Sequence, residues 1–196
     1  MNRMEIRVTG FGGQGVVLSA YIIGCACAVH AGRHATMIQS FGPEARGSAC
    51  SATLAVSDAE VLYPYIQRTD ILVAMSAEGY EKYHGELKPD GILIHEKDLV
   101  HPNSDDGHHA FGIPSTRIAE SLGRTMVQNI VMVGFTAAVT RIVPHEAIRN
   151  AVKTSVPAGT EELNLKAFDA GWAYFEKEYG PSAGKAGQPG LAEALR

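Results

Sequence analysis

Strand-like and helix-like stretches alternate along most of the chain, and this alternation constrains the fold more than any other feature. The β-rich runs, in order, are MEIRVT, ATMIQS, CSATLAVS, DILVAM and ILIHE, and helical patterns follow several of them. Such alternation predicts an open, mostly parallel α/β sheet with helices on both faces, a Rossmann-like three-layer arrangement. We expect one domain over residues 1–179 and a flexible Gly/Ala/Pro-rich tail over residues 180–196.

Local signals predict several element boundaries. Ser76 suits the N-cap of a helix, and Lys88 to Gly91 have the composition of a turn before the next strand. Thr125 to Ile142 carry small and apolar residues nearly all round, which predicts a buried helix. Pro144 and Thr160 each suit the start of a further helix.

A glycine-rich turn, GFGGQG at residues 10–15, joins the first strand to the first helix. Its spacing matches the G-x-G-x-x-G of dinucleotide-binding turns, in which the backbone and a helix N-terminus hold a pyrophosphate. That reading also needs an acidic side chain after the second strand, where this chain has Gln39 and Ser40. Glu44 lies further on, inside a loop, and Arg46 is too distant for the NADP variant. A turn that serves only tight strand–helix packing is the structural alternative.

The loop SFGPEARGSA, residues 40–49, is the second unusual segment. Ligands of open α/β sheets bind beyond the carboxyl ends of the strands, so we expect this loop to lie beside the glycine turn. Arg46 could pair with a phosphate or carboxylate of a ligand. Alternatively, Glu44 and Arg46 only solvate a long loop.

Composition excludes several classes of function. A net charge of −4 and the absence of a basic run argue against nucleic acid and membrane partners. The start of the chain enters a strand directly, which predicts a cytoplasmic protein. Three cysteines without a C-x-x-C motif suit neither a disulfide framework nor an iron–sulfur cluster. His101, His108 and His109 lie in a polar loop that suits solvation better than a metal site, and Asn129 satisfies a neighbouring group or contacts a ligand.

Five segments, taken in chain order, resemble one family: GFGGQGVVLSAYIIG, SFGPEARGSACSATLAVSD, DILVAM, QNIVMVGFTAAV and NLKAFDAGWAYF. They resemble the gamma subunit, or the corresponding fused domain, of the 2-oxoacid:ferredoxin oxidoreductases, from about Ile6 to Phe175. The pattern is most similar to the 2-oxoglutarate type, that of 2-oxoglutarate synthase. Indolepyruvate, 2-oxoisovalerate and pyruvate versions, and a free-standing Rossmann-type nucleotide-binding module, are the alternatives. Ser48 departs from the glycine of many relatives.

The resemblance implies a subunit that supports catalysis without performing it. In the family, thiamine diphosphate with Mg²⁺ and [4Fe–4S] clusters belong to partner subunits, the acyl group passes to coenzyme A, and electrons leave to ferredoxin. The implied partners are alpha and beta, optionally delta, subunits, and this chain alone would hold no metal and no cofactor. The resemblance assigns no catalytic residue to this chain, makes Arg46 a phosphate or active-site contact, and places at the coenzyme A site Gly10, Gly12, Gly13, Gln14, Gly15, Pro43, Glu44, Arg46, Gly47 and Asn129.

Overall fold

A computed structural model describes residues 3–41, 49–103 and 109–180 of the 196-residue chain. The strands are β1 (Met4–Phe11), β2 (His34–Phe41), β3 (Ala49–Ser57), β4 (Thr69–Ala74), β5 (Leu87–Glu96) and β6 (His109–Ile113). The helices are α1 (Val16–Cys25), α2 (Ala77–Tyr83), α3 (Ser115–Ser121), α4 (Gln128–Thr140), α5 (His145–Ser155) and α6 (Glu161–Glu178).

The strands form one six-stranded sheet in the order β2-β3-β1-β4-β5-β6. Neighbours β1, β4, β5 and β6 are parallel, whereas β3 is antiparallel to both β1 and β2. The predicted open, mostly parallel sheet is therefore confirmed. The single reversed strand follows β2 directly along the chain and inserts between β2 and β1, where every residue from Met4 to Phe11 has a partner on β3.

Helices cover both faces of the sheet unequally. Helices α1, α4, α5 and α6 pack with one face of the sheet into the larger core, which includes Ile6, Val73 and Phe135. Helix α2 lies on the opposite face, over a smaller cluster that includes Leu72 and Leu93. Strands β4 and β5 thus supply residues to both cores, which is why their sequences contain nearly continuous apolar runs. None of the helices in the described part of the chain is long and apolar enough to cross a membrane.

The helix predicted over Thr125 to Ile142 forms and is buried, but its core is α4, preceded by a short 3₁₀ turn at Thr125–Val127. The turn predicted at Lys88 to Gly91 is wrong, because these residues lie inside β5. Strand β5 bulges there: Thr69 is opposite Leu87, but Ile71 is already opposite Ile92. Polar, turn-forming residues are therefore accommodated as extra length in a strand, where a bulge leaves residues unpaired.

A buried carboxylate closes the carboxyl end of β5. Glu96 is 1% exposed and accepts hydrogen bonds from the Ser115 hydroxyl and from the backbone N–H of Thr116 at 3.0 Å. It also accepts the backbone N–H of Asp98 at 3.2 Å. One side chain thereby joins the end of β5, the following loop and the first turn of α3.

Replacing Glu96 with alanine is expected to lower the free energy of unfolding by about 2 kcal/mol, because donors in the loop after β5 and in the first turn of α3 lose their acceptor. Urea titration followed by circular dichroism measures the change. Glu120, exposed on α3, provides the matched control, and its alanine variant should stay within about 0.5 kcal/mol of the unmodified chain. Equal stability of the two variants would contradict the role assigned to Glu96.

Candidate functional site

The glycine turn lies at the point where the sheet connections diverge. Strands β1 and β4 are adjacent and parallel, and their carboxyl ends lead into α1 and α2, which pack on opposite faces. Parallel sheets open a crevice at such a switch point, and ligands of α/β proteins bind there. The sequence-based prediction that residues 10–15 lie at the carboxyl edge of the sheet agrees with this geometry.

Gln14 ties the turn to both strands. Its side-chain oxygen accepts the backbone N–H of Phe11 at 2.7 Å, and its amide nitrogen donates to the carbonyl of Met75 at 3.2 Å. The backbone N–H of Met75 in turn donates to the carbonyl of Thr9 at 2.8 Å. Gln14 therefore positions the turn through its side chain, and a direct cofactor contact by this residue stays a prediction.

The turn requires glycine at three positions, Gly10 for steric reasons, Gly13 for its backbone conformation and Gly15 for both. A Cβ on Gly10 would lie 2.6 Å from the side-chain oxygen of Gln14, so glycine is needed for the bond that locks the turn. Gly15 has φ +76°, and a Cβ there would lie 2.5 Å from the amide nitrogen of Asn129. Gly13, with φ +102°, is exposed and faces open space. Gly12 is half-buried beside it. The turn thus packs inward at its two ends and is open at its middle.

Helix α1 begins at this turn with backbone donors that no described residue pairs. Its N-cap is Gly15, which offers no capping side chain, and the first turn of the helix carries no acidic residue. The first intrahelical bond runs from the N–H of Ser19 to the carbonyl of Gly15, so the N–H groups of Val16 to Leu18 precede it. Such a helix end attracts an anionic group.

Asn129 adds a polar side chain to the same point. It lies at the start of α4, is 3% exposed and packs against Gly15. Within the described residues its side-chain amide makes no hydrogen bond, yet its atoms are not fully enclosed. Buried polar groups are nearly always paired, so an amide left open beside a helix N-terminus suits contact with a ligand.

The other predicted site residues, Pro43, Glu44, Arg46 and Gly47, lie outside the described residues, as does Ser48. The residues that flank this segment are described. Ala49 pairs with Phe11 and Phe41 pairs with Cys50, so the segment starts and ends at the edge of the sheet that carries the glycine turn.

The strand order argues against dinucleotide binding. That mode places the acidic residue for the ribose at the end of the strand next to β1. Here β3 lies between β1 and β2, so Gln39 and Ser40 at the end of β2 are about 10 Å from β1. Both are exposed and neither is acidic. The described residues therefore retain the glycine turn and helix N-terminus of the motif and supply no acidic residue at the ribose position.

Burial shifts the pKa of two titratable groups near this edge. Burial raises the pKa of the Cys50 thiol, whose residue pairs with Gly10. Burial lowers the pKa of His95, at the end of β5. Cys25, Cys27 and Cys50 are free thiols, and burial raises the pKa of Cys27 to about 11. Three thiols do not supply a four-cysteine cluster site, and no metal-ligating group of three or more side chains occurs in the described part of the chain.

Sequence reasoning missed the partners of the turn on β4. Met75 follows a buried strand and has no polar side chain, so it takes part only through its backbone N–H and carbonyl, and no sequence signal reports those bonds. Ser76 was predicted as an N-cap, and its hydroxyl accepts the N–H of Gly79 at 3.1 Å.

Comparisons with known proteins agree with the resemblance in the sequence. The profile of the pyruvate ferredoxin/flavodoxin oxidoreductase family matches residues 5–174. Subunit KorC of 2-oxoglutarate synthase from Methanothermobacter marburgensis is 44% identical over 176 residues, which cover 86% of this chain and 95% of that one.

Two solved structures share the fold. A keto/oxoacid ferredoxin oxidoreductase gamma subunit from Geobacter sulfurreducens superposes with a TM-score of 0.77 at 35% identity, covering 87% of this chain and 96% of that one. A 2-oxoglutarate:ferredoxin oxidoreductase from Magnetococcus marinus, solved with 2-oxoglutarate, coenzyme A and succinyl-CoA bound, superposes with a TM-score of 0.81 at 22% identity. The match covers 90% of this chain but only 32% of that longer chain, and at this identity it shows the fold alone. The chain therefore belongs to the pyruvate ferredoxin/flavodoxin oxidoreductase family, as a gamma-type subunit of a 2-oxoacid:ferredoxin oxidoreductase.

Proposed function

We propose that this chain completes the coenzyme A site of a 2-oxoglutarate:ferredoxin oxidoreductase. The glycine turn and the N-terminus of α1 hold an anionic part of coenzyme A, and Asn129 contributes a hydrogen bond to it. The observation that carries the proposal is the open side-chain amide of Asn129, buried against Gly15 beside uncapped helix donors. Arg46, from the segment that leaves and rejoins the sheet at this edge, adds a positive charge to the site.

The choice of 2-oxo acid rests on similarity. The KorC relative is 44% identical, whereas a pyruvate synthase subunit PorC is 31% identical over a similar span. The Magnetococcus protein, which shares the fold, was solved with coenzyme A bound. In the proposed complex, alpha and beta, optionally delta, subunits bind thiamine diphosphate, Mg²⁺ and [4Fe–4S] clusters. The complex is cytoplasmic and passes electrons to ferredoxin.

Within this arrangement the chain itself orients coenzyme A. Turn N–H groups and the helix end offer donors fixed in place before the ligand arrives, so little free energy is lost in ordering them. No step of the proposed function requires a nucleophile or a titrating group from this chain.

Replacing Asn129 with leucine is expected to raise the KM for coenzyme A about tenfold in the complex assembled with its partner subunits, because one hydrogen bond to the ligand is lost. Release of carbon dioxide from the 2-oxo acid without coenzyme A should persist. The KM is measured from the coenzyme A-dependent reduction of a viologen dye. Carbon dioxide release without coenzyme A is measured on the same preparation.

Asn164 provides the matched control. It is also a buried asparagine, 7% exposed, but it lies on α6 and its amide donates to the carbonyl of Thr160 at 2.9 Å. Its leucine variant should lower stability and leave the KM for coenzyme A unchanged. An unchanged KM in the Asn129 variant would refute the contact. Saturable binding of NAD to the isolated chain in calorimetry would instead favour a free-standing nucleotide-binding module.

A further inference from the structure

The two edges of the sheet differ in how they are covered. At the β6 edge, the Tyr179 hydroxyl accepts the backbone N–H of Gly112 at 3.1 Å and donates to its carbonyl at 3.0 Å. At the β2 edge, no backbone bond other than those to β3 is made by the described residues. A side chain of the same chain therefore pairs with the β6 edge at Gly112, whereas the β2 edge presents donors and acceptors that no described residue pairs.

Strand β2 also lacks the features that keep natural edge strands unpaired. Its eight residues, HATMIQSF, contain no lysine, arginine, aspartate, glutamate or proline, and all eight pair with β3 in one unbroken register. Charged residues, prolines, bulges and short length are the usual protections of an exposed edge. A regular, uncharged edge of this length favours pairing with another strand.

An apolar surface adjoins this edge. Three large apolar side chains are well exposed there: Tyr21 by 49%, Val29 by 71% and Phe41 by 66%. A cavity of about 270 Å³ opens between α1 and β2, lined by Tyr21, Gly24, Cys25, Ala28, Val29, Ala35, Met37 and Leu54. Phe41 is on the same face of β2 as Ala35 and Met37, but it lies about 13 Å along the strand from Met37 and does not fill the cavity of its own chain.

We propose that β2 pairs antiparallel with β2 of a second copy of this chain, about a twofold axis at Ile38. In this register Ala35 of each copy is opposite Phe41 of the other, so each Phe41 covers the cavity wall of its neighbour. Opposed residues of antiparallel strands point to the same face of the sheet. Two copies of one strand can therefore pair only in registers in which the twofold axis passes through a residue. A register centred on Met37 would leave Phe41 opposite Arg33, beyond the end of the strand.

The charge of the strand fits a second copy, and the exposed apolar area limits how tightly that copy would bind. The strand carries no fully charged side chain, so pairing with itself brings no like charges together. At about 200 Å² for a large side chain, the exposed fractions of Tyr21, Val29 and Phe41 give roughly 350 Å² of apolar surface per copy, to which the strand edge adds. This is below the ~800 Å² per partner of a stable interface, so the dimer is weak, with a dissociation constant on the order of 10–100 μM.

Sedimentation velocity of the full chain, between about 1 and 500 μM, should show this reversible dimer. Phe41→Lys places a charge against the apolar cavity and should weaken association at least tenfold. Leu62→Lys is the matched control, because Leu62 is 85% exposed, lies outside β2 and gains the same charge; its association should equal that of the unmodified chain. A chain that stays monomeric throughout, or equal effects of both substitutions, would overturn the proposal.

A disulfide test checks the register. Opposed residues at the twofold axis have Cα atoms about 5 Å apart, so Ile38→Cys should form an intermolecular disulfide under mild oxidation. Ser40→Cys lies on the same face, but its two copies are about 13 Å apart and should remain reduced. The unmodified chain, with its three native thiols, sets the baseline. Equal cross-linking at both positions would contradict the proposed register. Association that requires a different protein, and that Phe41→Lys abolishes, would contradict pairing with a second copy.

Discussion

Replacing Gly171 with alanine is expected to lower the free energy of unfolding by about 3 kcal/mol and the Tm by roughly 6–12 °C. Glycine is a poor residue for a helix interior, and the same change at an open helical position would stabilise the helix by up to ~1 kcal/mol. The expected sign is opposite here because of where α6 crosses α4. A Cβ on Gly171 would overlap with the backbone carbonyl of Val131, and one on Gly134 with that of Phe168.

The two glycines therefore allow the two helix backbones to touch. A methyl group at either position meets rigid backbone, so the helices must separate along the buried face that contains Phe135 and Phe168. Urea unfolding followed by Trp172 fluorescence reports the change, since this residue is the single tryptophan of the chain and lies on α6.

Gly24 is the matched control for this prediction. It also lies within a helix, but its added Cβ would meet only the end of the Leu54 side chain, at 3.1 Å. Gly24→Ala should change the free energy of unfolding by less than about 1 kcal/mol. If Gly171→Ala is as stable as Gly24→Ala, the contact between α4 and α6 does not depend on the absence of a side chain.

This crossing illustrates which parts of the fold could be predicted from the sequence. The burial of α4 follows from its composition, because small and apolar residues surround it on all sides. The composition of α4 does not predict that α6 packs against it, because the close contact at Gly134 and Gly171 joins residues that are distant in sequence. The same distinction applies to the strands: most were predicted individually, but the insertion of β3 between β1 and β2 depends on long-range pairing.

The site shows the same division. The glycine turn was predicted because strand, glycines and helix are contiguous in sequence, and Asn129 was singled out as a polar residue in an apolar helix. Neither observation could place Asn129 against Gly15, a contact across more than a hundred residues. The absence of an acidic residue after β2 already argued against NAD, and the strand order now gives the geometric reason, since β2 does not adjoin β1.

Gly15→Ala is expected to have the largest effect on function. The residue has φ +76°, a conformation that costs an alanine about 1–2 kcal/mol, and its Cβ would displace the Asn129 amide from 2.5 Å away. Both parts of the proposed coenzyme A contact, the turn donors and Asn129, are therefore moved together. We expect the KM for coenzyme A in the assembled complex to rise by about 100-fold, and carbon dioxide release without coenzyme A to persist.

Gly32→Ala separates this local effect from the cost of backbone strain. Gly32 has φ +66° and no atom within 4 Å of its added Cβ. It follows the short π-helical segment Ala26–His30, which continues α1 away from the glycine turn. It therefore incurs a similar conformational cost without contact to the proposed site, and its KM for coenzyme A should equal that of the unmodified complex. If the two variants lose coenzyme A affinity equally, the glycine turn acts through stability alone. If Gly15→Ala also abolishes carbon dioxide release while assembly is intact, the turn supports the thiamine-dependent step as well as coenzyme A binding.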